Sequence, residues 1–362
     1  MALILTVVFV ALVFEYINGL HDTANCIAAV VSTKALTPRM AIVLAVTTNL
    51  AGALAGTAVA KTIAAGLVDT SIVTSQVLIC ALLGGILWNV LTWYLGLPSS
   101  SSHALIGGLC GAALAASHNN WDVIIWSLPA TDHWWHGKGI LWKVIVPMII
   151  SPICGFGLGF VLMVTLYILL RNFRPNPVNK TFSKLQLLSA GSMGFMHGMN
   201  DAQKTMGIIA LALLTGTTAG VFDGLPHWMN FLRVTPHGNG PEIPIWVKVL
   251  CAMTMAAGTA AGGWRIIRTL GRKMVRLQPI NGFASDTASA TIIAIASHYG
   301  IPVSTTHNVS AAIMGVGTAR KFDAIKWTVV ERMIWAWILT LPIAAAIAYG
   351  AVQFLRALGA TP

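Results

Sequence analysis

The sequence predicts an all-α polytopic membrane protein. It is built from two inverted-topology repeats with broken helices or hairpins, and has about 10–12 transmembrane segments. Three observations carry this: a shortage of charge, long continuous apolar stretches, and self-similarity between the two halves. Only 9% of the 362 residues are charged and 56% are apolar, and mean hydropathy is +0.76. A soluble domain carries about 25% charged residues, so a water-facing coat cannot be made from this chain. The apolar stretches do not alternate with period two, which excludes a barrel of strands.

Ten apolar stretches mark the crossings: 3–31, 40–60, 75–95, 100–118, 143–170, 186–214, 246–264, 283–298, 302–318 and 327–355. The first lacks the positive n-region and cleavage site of a signal peptide and reads as the first span. Two loops are basic without any acid: 171–184, with Arg171, Arg174, Lys180 and Lys184, and 265–276, with Arg265, Arg268, Arg272, Lys273 and Arg276. Both belong in the cytoplasm by the positive-inside rule, and an even number of spans separates them. Propagating outward places both termini outside, together with 119–142 (with its Trp134–Trp135 pair) and 216–245. The net charge of +11 is thereby assigned to loops, not to nucleic-acid binding. The five cysteines stand singly in apolar stretches and read as small buried residues, neither disulfides nor a metal site.

The halves repeat one another. Asn18-Gly19-Leu20-His21-Asp22-Thr23-Ala24-Asn25 matches His197-Gly198-Met199-Asn200-Asp201-Ala202-Gln203-Lys204. Gly96-Leu97-Pro98 through His103 matches Gly300-Ile301-Pro302 through His307, and the small-residue run from Ala51-Gly52 matches that from Ala257-Gly258. The chain divides into an N-terminal membrane repeat, 1–170, a cytoplasmic basic linker, 171–184, and a C-terminal repeat, 185–362, with an external insertion at 216–245. Five crossings per half is odd, so the repeats must be inverted, an arrangement that places a site at their interface.

The costly residues follow from that frame. Asp22 and Asp201 lie mid-span, where an ionised carboxylate needs a partner or water. Each follows a glycine, Gly19 or Gly198, expected to break the helix. Three residues on stand Asn25 and Lys204, on the same helix face as the acids. Lys204 makes the combined site better suited to an anion and also offers Asp201 a counter-charge. Pro98 and Pro302 are expected to open helices whose first turns carry Ser101, Ser102, Thr305 and Thr306, leaving N–H groups and hydroxyls free for an anion. His103 and His307 are repeat-related and suit gating or a proton relay, or a plain structural role. Glu15, one turn before Asn18, is a pathway or helix-bridging residue, and Asp286 and Glu331 read as interfacial.

These motifs resemble those of the inorganic phosphate transporter family over nearly the whole chain. The resemblance implies a phosphate symporter with inverted repeats and external termini. Asn25, Ser101, Ser102, Thr305 and Thr306 would contact phosphate, with Lys204 beside them. Asp22 and Asp201, with their neighbours His21 and Asn200, would serve the coupling cation, and the two aspartates would also meet a carried divalent metal. His21 and Lys204 depart from the sodium-coupled pattern. They are similar to the bacterial proton-coupled branch, which takes phosphate with a divalent ion such as Mg2+; sodium coupling is the alternative. No cofactor is implied. The expected partners are inorganic phosphate, the lipid bilayer of the bacterial plasma membrane and a second copy of the chain, and no nucleic acid.

Other classes fare worse. Adjacent Ser102 and His103 point in different directions along a helix and form no nucleophile–base pair, and neither GxSxG nor HExxH occurs, so the chain is not read as an enzyme. A passive channel, or a carrier for another tetrahedral oxyanion, would use much the same polar groups.

Overall fold

The computed structural model describes residues 1–65, 67–128, 137–237 and 240–360; Trp134 and Trp135 lie outside them. In the first half the helices are α1 (Ala2–Ser32), α2 (Pro38–Leu54), α3 (Ala58–Ala65), α4 (Ser75–Leu95), α5 (Ser101–Ala116) and α6 (Val146–Leu170). In the second they are α7 (Pro175–Thr218), α8 (Ile245–Ala261), α9 (Trp264–Arg268), α10 (Pro279–His298), α11 (Thr305–Arg320) and α12 (Trp327–Ala357). A two-residue hairpin, Pro236–His237 with Gly240–Pro241, lies in the connection before α8.

Local chemistry sets the ends of these helices. Thr37 and Thr74 cap α2 and α4 by accepting the Met40 and Val77 amides at 3.4 and 3.2 Å. Gly96 closes α4 at φ 67°, a conformation that favours glycine. Pro175 and Pro279 open α7 and α10, where the missing N–H costs nothing. Because Pro175 starts a helix, most of the expected linker 171–184 is the first turns of α7, and the connection shrinks to the residues before it. With 44 residues α7 is about 66 Å long, twice the apolar thickness of a bilayer, so its basic first turns project beyond it.

Two helix pairs are sharply bent. α2 and α3 meet at 68° and α8 and the segment Trp264–Gly271 at 58°, giving twelve α-helices among the described residues; the second of these bends turns into the expected basic loop 265–276, whose first residues are helical instead. The packing repeats as well: α1 lies on α8 and α7 on α2, while α6 packs on α11 and α12 on α5. The last helix of each half is thus held by the other half.

α1 and α7 run antiparallel. Ile4 meets Gly216, Glu15 meets Thr205, and the Thr33 hydroxyl donates to Gln186 Oε1 at 2.8 Å. One apolar cluster joins Ile4–Phe14 with Ala202–Leu213, and another joins Ala24–Val30 with Ala190 and Met193. The polar motifs of both helices fall between the two clusters.

Gly19 and Gly198 do not break their helices, contrary to the sequence expectation; α1 and α7 run through both. A Cβ on Gly19 would strike the Met255 carbonyl of α8, and one on Gly198 the Asn49 carbonyl of α2. These glycines let helices approach closely, which is how membrane helices associate without a hydrophobic driving force. Gly52 and Gly258 return the favour: their Cβ atoms would stand 2.9 Å from Met199 N and 2.9 Å from Leu20 N. Alanine gains about 1 kcal/mol of helix propensity, but a backbone clash of this kind costs about 1–3 kcal/mol. Gly52→Ala and Gly258→Ala are therefore expected to lower the thermal midpoint of the purified protein in detergent. Gly157→Ala, with nothing within 4 Å of its Cβ, should hold or raise it.

One smaller expectation changes. Cys154 is exposed on α6 and not buried. Asp286 is buried in α10 with its Oδ2 unpartnered, whereas Glu331 is exposed on α12.

Candidate transport site

The antiparallel crossing of α1 and α7 brings the two aspartates together. One ligand atom each from Asp22, His197 and Asp201 lie within 4.8 Å of one another. The starts of α5 and α11 close over them from opposite repeats. Every side chain named in the next paragraph is 3% exposed or less.

Asp22 Oδ2 accepts from Ser101 Oγ at 2.6 Å, and Oδ1 accepts from Thr306 Oγ1 at 3.2 Å with His21 Nδ1 at 2.9 Å. Asp201 Oδ2 accepts from Thr305 Oγ1 at 2.9 Å and faces His197 Nε2 at 3.0 Å, while Oδ1 pairs with Lys204 Nζ. Asn25 Nδ2 donates to Thr306 and Thr305 Oγ1 at 2.9 and 3.2 Å. Lys204 Nζ donates to Ser102 Oγ and to the Val303 carbonyl at 3.1 Å. The halves correspond: Ser101 on Asp22 mirrors Thr305 on Asp201. Asn25 reaching across to α11 mirrors Lys204 reaching across to α5. The lysine breaks the symmetry with one positive charge against two carboxylates.

The proline segments differ in detail from expectation. Pro98 and Pro302 precede the helices; Ser100 and Ser304 are the N-caps, accepting the His103 and His307 amides at 3.2 Å each. Proline restrains the approach to the cap, so Ser101, Ser102, Thr305 and Thr306 still occupy the first turns. Their amides have no acceptor within their own helices, and the positive ends of both helix dipoles point at the same site.

His103 and His307 meet ring to ring across the repeats, with centroids 4.9 Å apart, and His307 stacks on Trp337 at 4.2 Å. His103 Nδ1 and His307 Nε2 have no hydrogen-bond partner. Asn200 lies beside Asp201 in sequence but turns its amide to Ser297 Oγ at 2.8 Å and the Ile301 carbonyl at 3.3 Å, which fixes α10 to α7. Gln203, one residue before Lys204, accepts the Val59 and Ala60 amides at 2.8 and 3.3 Å and so caps α3.

Sequence reasoning missed His197 as a site residue, along with Asn49, whose Oδ1 faces His197 Nδ1 at 3.0 Å. The signal was available: His197 aligns with Asn18 at the head of the repeated motif and sits one helical turn before Asp201. Thr92 and Ser99, 3.2 and 3.3 Å from His21 Nε2, were also unassigned.

Inverted repeats whose mid-helix carboxylates and helix starts converge on one buried polar site define a membrane transporter. The comparison with known families is specific: residues 18–176 and 170–348 each match the phosphate transporter family, one match per repeat. The chain belongs to that family. It is 42% identical over 356 residues to the probable low-affinity inorganic phosphate transporter of Bacillus subtilis strain 168, covering 97% of each. It is 41% identical over 356 residues to the protein of the same description from Mycobacterium tuberculosis strain H37Rv, covering 98% of this chain and 78% of that one. The fold is similar to that of a solved structure described as the sodium-dependent phosphate transporter, with TM-score 0.80 and 21% identity over 99% of this chain and 100% of that one.

Proposed function

We propose that the protein is a secondary active symporter that imports inorganic phosphate by alternating access, coupled to protons, with phosphate carried as a divalent metal complex. The observation that supports this best is the convergence of two repeat-related carboxylates, one lysine and two helix starts at a single buried site. Ser101, Ser102, Thr305, Thr306, Asn25 and Lys204 bind the phosphate oxygens through hydroxyls, amide and ammonium, aided by the unpaired amides of α5 and α11. Asp22 and Asp201 take the proton or the metal, with His21 beside Asp22 and His197 completing a set of oxygen and imidazole ligands. Asn200 supports Asp201 indirectly, by holding α10 in place. His103 and His307 gate the path where the repeats meet.

Charge dictates coupling. A phosphate brought beside two carboxylates and one lysine is repelled unless a cation arrives with it. The same groups bind any tetrahedral oxyanion through hydroxyls and N–H donors, so arsenate enters as a side activity. In the cell the protein sits in the plasma membrane with both termini outside, as a homodimer.

Purified protein in liposomes tests the reading. Labelled phosphate should accumulate under an inward proton gradient, more with Mg2+ than without, and stay indifferent to a sodium gradient. Accumulation driven by sodium alone would replace the coupling ion.

A further inference from the structure

One buried acid takes no part in the site above. Glu15 of α1 is 0% exposed and lies seven residues before Asp22, about 10 Å along the helix toward its N-terminal end. Its Oε2 accepts from Thr205 Oγ1 of α7 and from Asn18 Nδ2 at 3.5 Å. Its Oε1 has no partner, and neither does the oxygen of the same Asn18 amide. Among the described residues no ion pair involves Glu15. Among the described residues, the charged groups that act on it are Asp201 and Lys204 of α7, and the Cys251 thiol faces it from α8. The repeat offers no counterpart, because the position of Glu15 in the second half is Gly194.

Two acceptor oxygens on neighbouring side chains, both buried and both without a donor, are costly in a membrane interior. A proton on Glu15 Oε1 resolves both. The acid O–H then donates to Asn18 Oδ1 while the amide N–H2 donates to Oε2, and the carboxyl becomes neutral. A metal cation fits less well, since two free oxygens are too few to replace a hydration shell.

We propose that Glu15 is a separate proton-binding site of the transport cycle, placed between the phosphate site and the N-terminal end of α1. It releases its proton when rearrangement of α1 against α7 admits water, with the Thr205 hydroxyl donating to the carboxylate left behind. This rests on the proton-coupled reading above, and the wild type tests that reading by itself. A wild type that accumulates phosphate on a sodium gradient and ignores pH removes the ground for both.

Given proton-driven wild type, Glu15→Gln is the informative variant, because it mimics the neutral acid but cannot release a proton. Each coupled proton crossing a gradient of about one pH unit supports about tenfold accumulation. Glu15→Gln liposomes are expected to exchange internal for external labelled phosphate near the wild-type rate, yet to lose about tenfold of the accumulation. Proton uptake on phosphate addition, read with a trapped pH dye, should fall in step, and Glu15→Asp should restore both. Wild-type accumulation by Glu15→Gln overturns the proposal. Loss of exchange in both Glu15→Gln and Glu15→Asp overturns it too, since it assigns Glu15 to packing.

Discussion

Asp22→Asn and Asp201→Asn proteins are expected to import phosphate at no more than about one-hundredth of the wild-type rate, a loss of about 2.7 kcal/mol at the rate-limiting step. Each substitution keeps the shape of the side chain and removes the charge that a coupling cation needs. Their costs to the fold should differ. Asp22 is held by two hydroxyls and His21, so Asp22→Asn disturbs hydrogen bonds worth about 1–3 kcal/mol. Asp201 is the carboxylate partner of Lys204, a side chain 2% exposed. Removing it strands a buried ammonium, at a cost of about 3–5 kcal/mol. The thermal midpoint should therefore fall further for Asp201→Asn than for Asp22→Asn. The double variant Asp201→Asn, Lys204→Met should recover stability but not transport. Wild-type uptake by either single variant would show that the aspartates merely bridge helices, and equal midpoints would sink the argument about Lys204.

The next largest effect is expected at Lys204 itself. Lys204→Asn copies the first repeat, where Asn25 occupies the equivalent place. It removes the site's one lysine and the donor to Ser102 while leaving Asp201 its Thr305 and His197 partners. A charge-assisted hydrogen bond to phosphate is worth about 1.5–3 kcal/mol, so KM for phosphate should rise by about tenfold or more. The dependence on a co-transported cation should steepen, because two carboxylates then face the anion with no fixed positive charge. Initial rates over a phosphate series, with and without Mg2+, give both answers. An unchanged KM would mean that Lys204 serves only to neutralise Asp201.

Most of the site was legible because the chain writes it twice. The duplicated Asp with a polar residue three positions on, and the duplicated hydroxyls before a histidine, survive the divergence of the halves. Ser101, Ser102, Asn25, Lys204, Thr305 and Thr306 do converge with the two aspartates. Asn200 points away from the aspartates, because adjacency to Asp201 in sequence puts the two side chains about 100° apart on a helix. His197 was overlooked for the opposite reason: one turn away, it faces the same carboxylate. The bend between α2 and α3 was hidden within one apolar stretch, since hydropathy does not register a change of helix direction, and the helical segment after α8 was hidden because its basic residues read as a loop.

Scarcity of charge, apolar stretches long enough to span and a repeat with an odd number of crossings are local or periodic properties, and they determined the membrane class, the inversion and which repeated polar residues to look for together. Tertiary structure alone decided how α1 and α7 cross. Gly19 and Gly198 could have broken their helices or let neighbours in, and it is the Met255 and Asn49 carbonyls lying against them that settle the matter. That close approach seats α1 on α8 and α7 on α2, while the contacts of Ile4 with Gly216, Glu15 with Thr205 and Thr33 with Gln186 set the register in which Asp22 meets Asp201 and His197 joins them. Whether a glycine bends a chain or admits a partner depends on what packs against it, which no stretch of sequence contains.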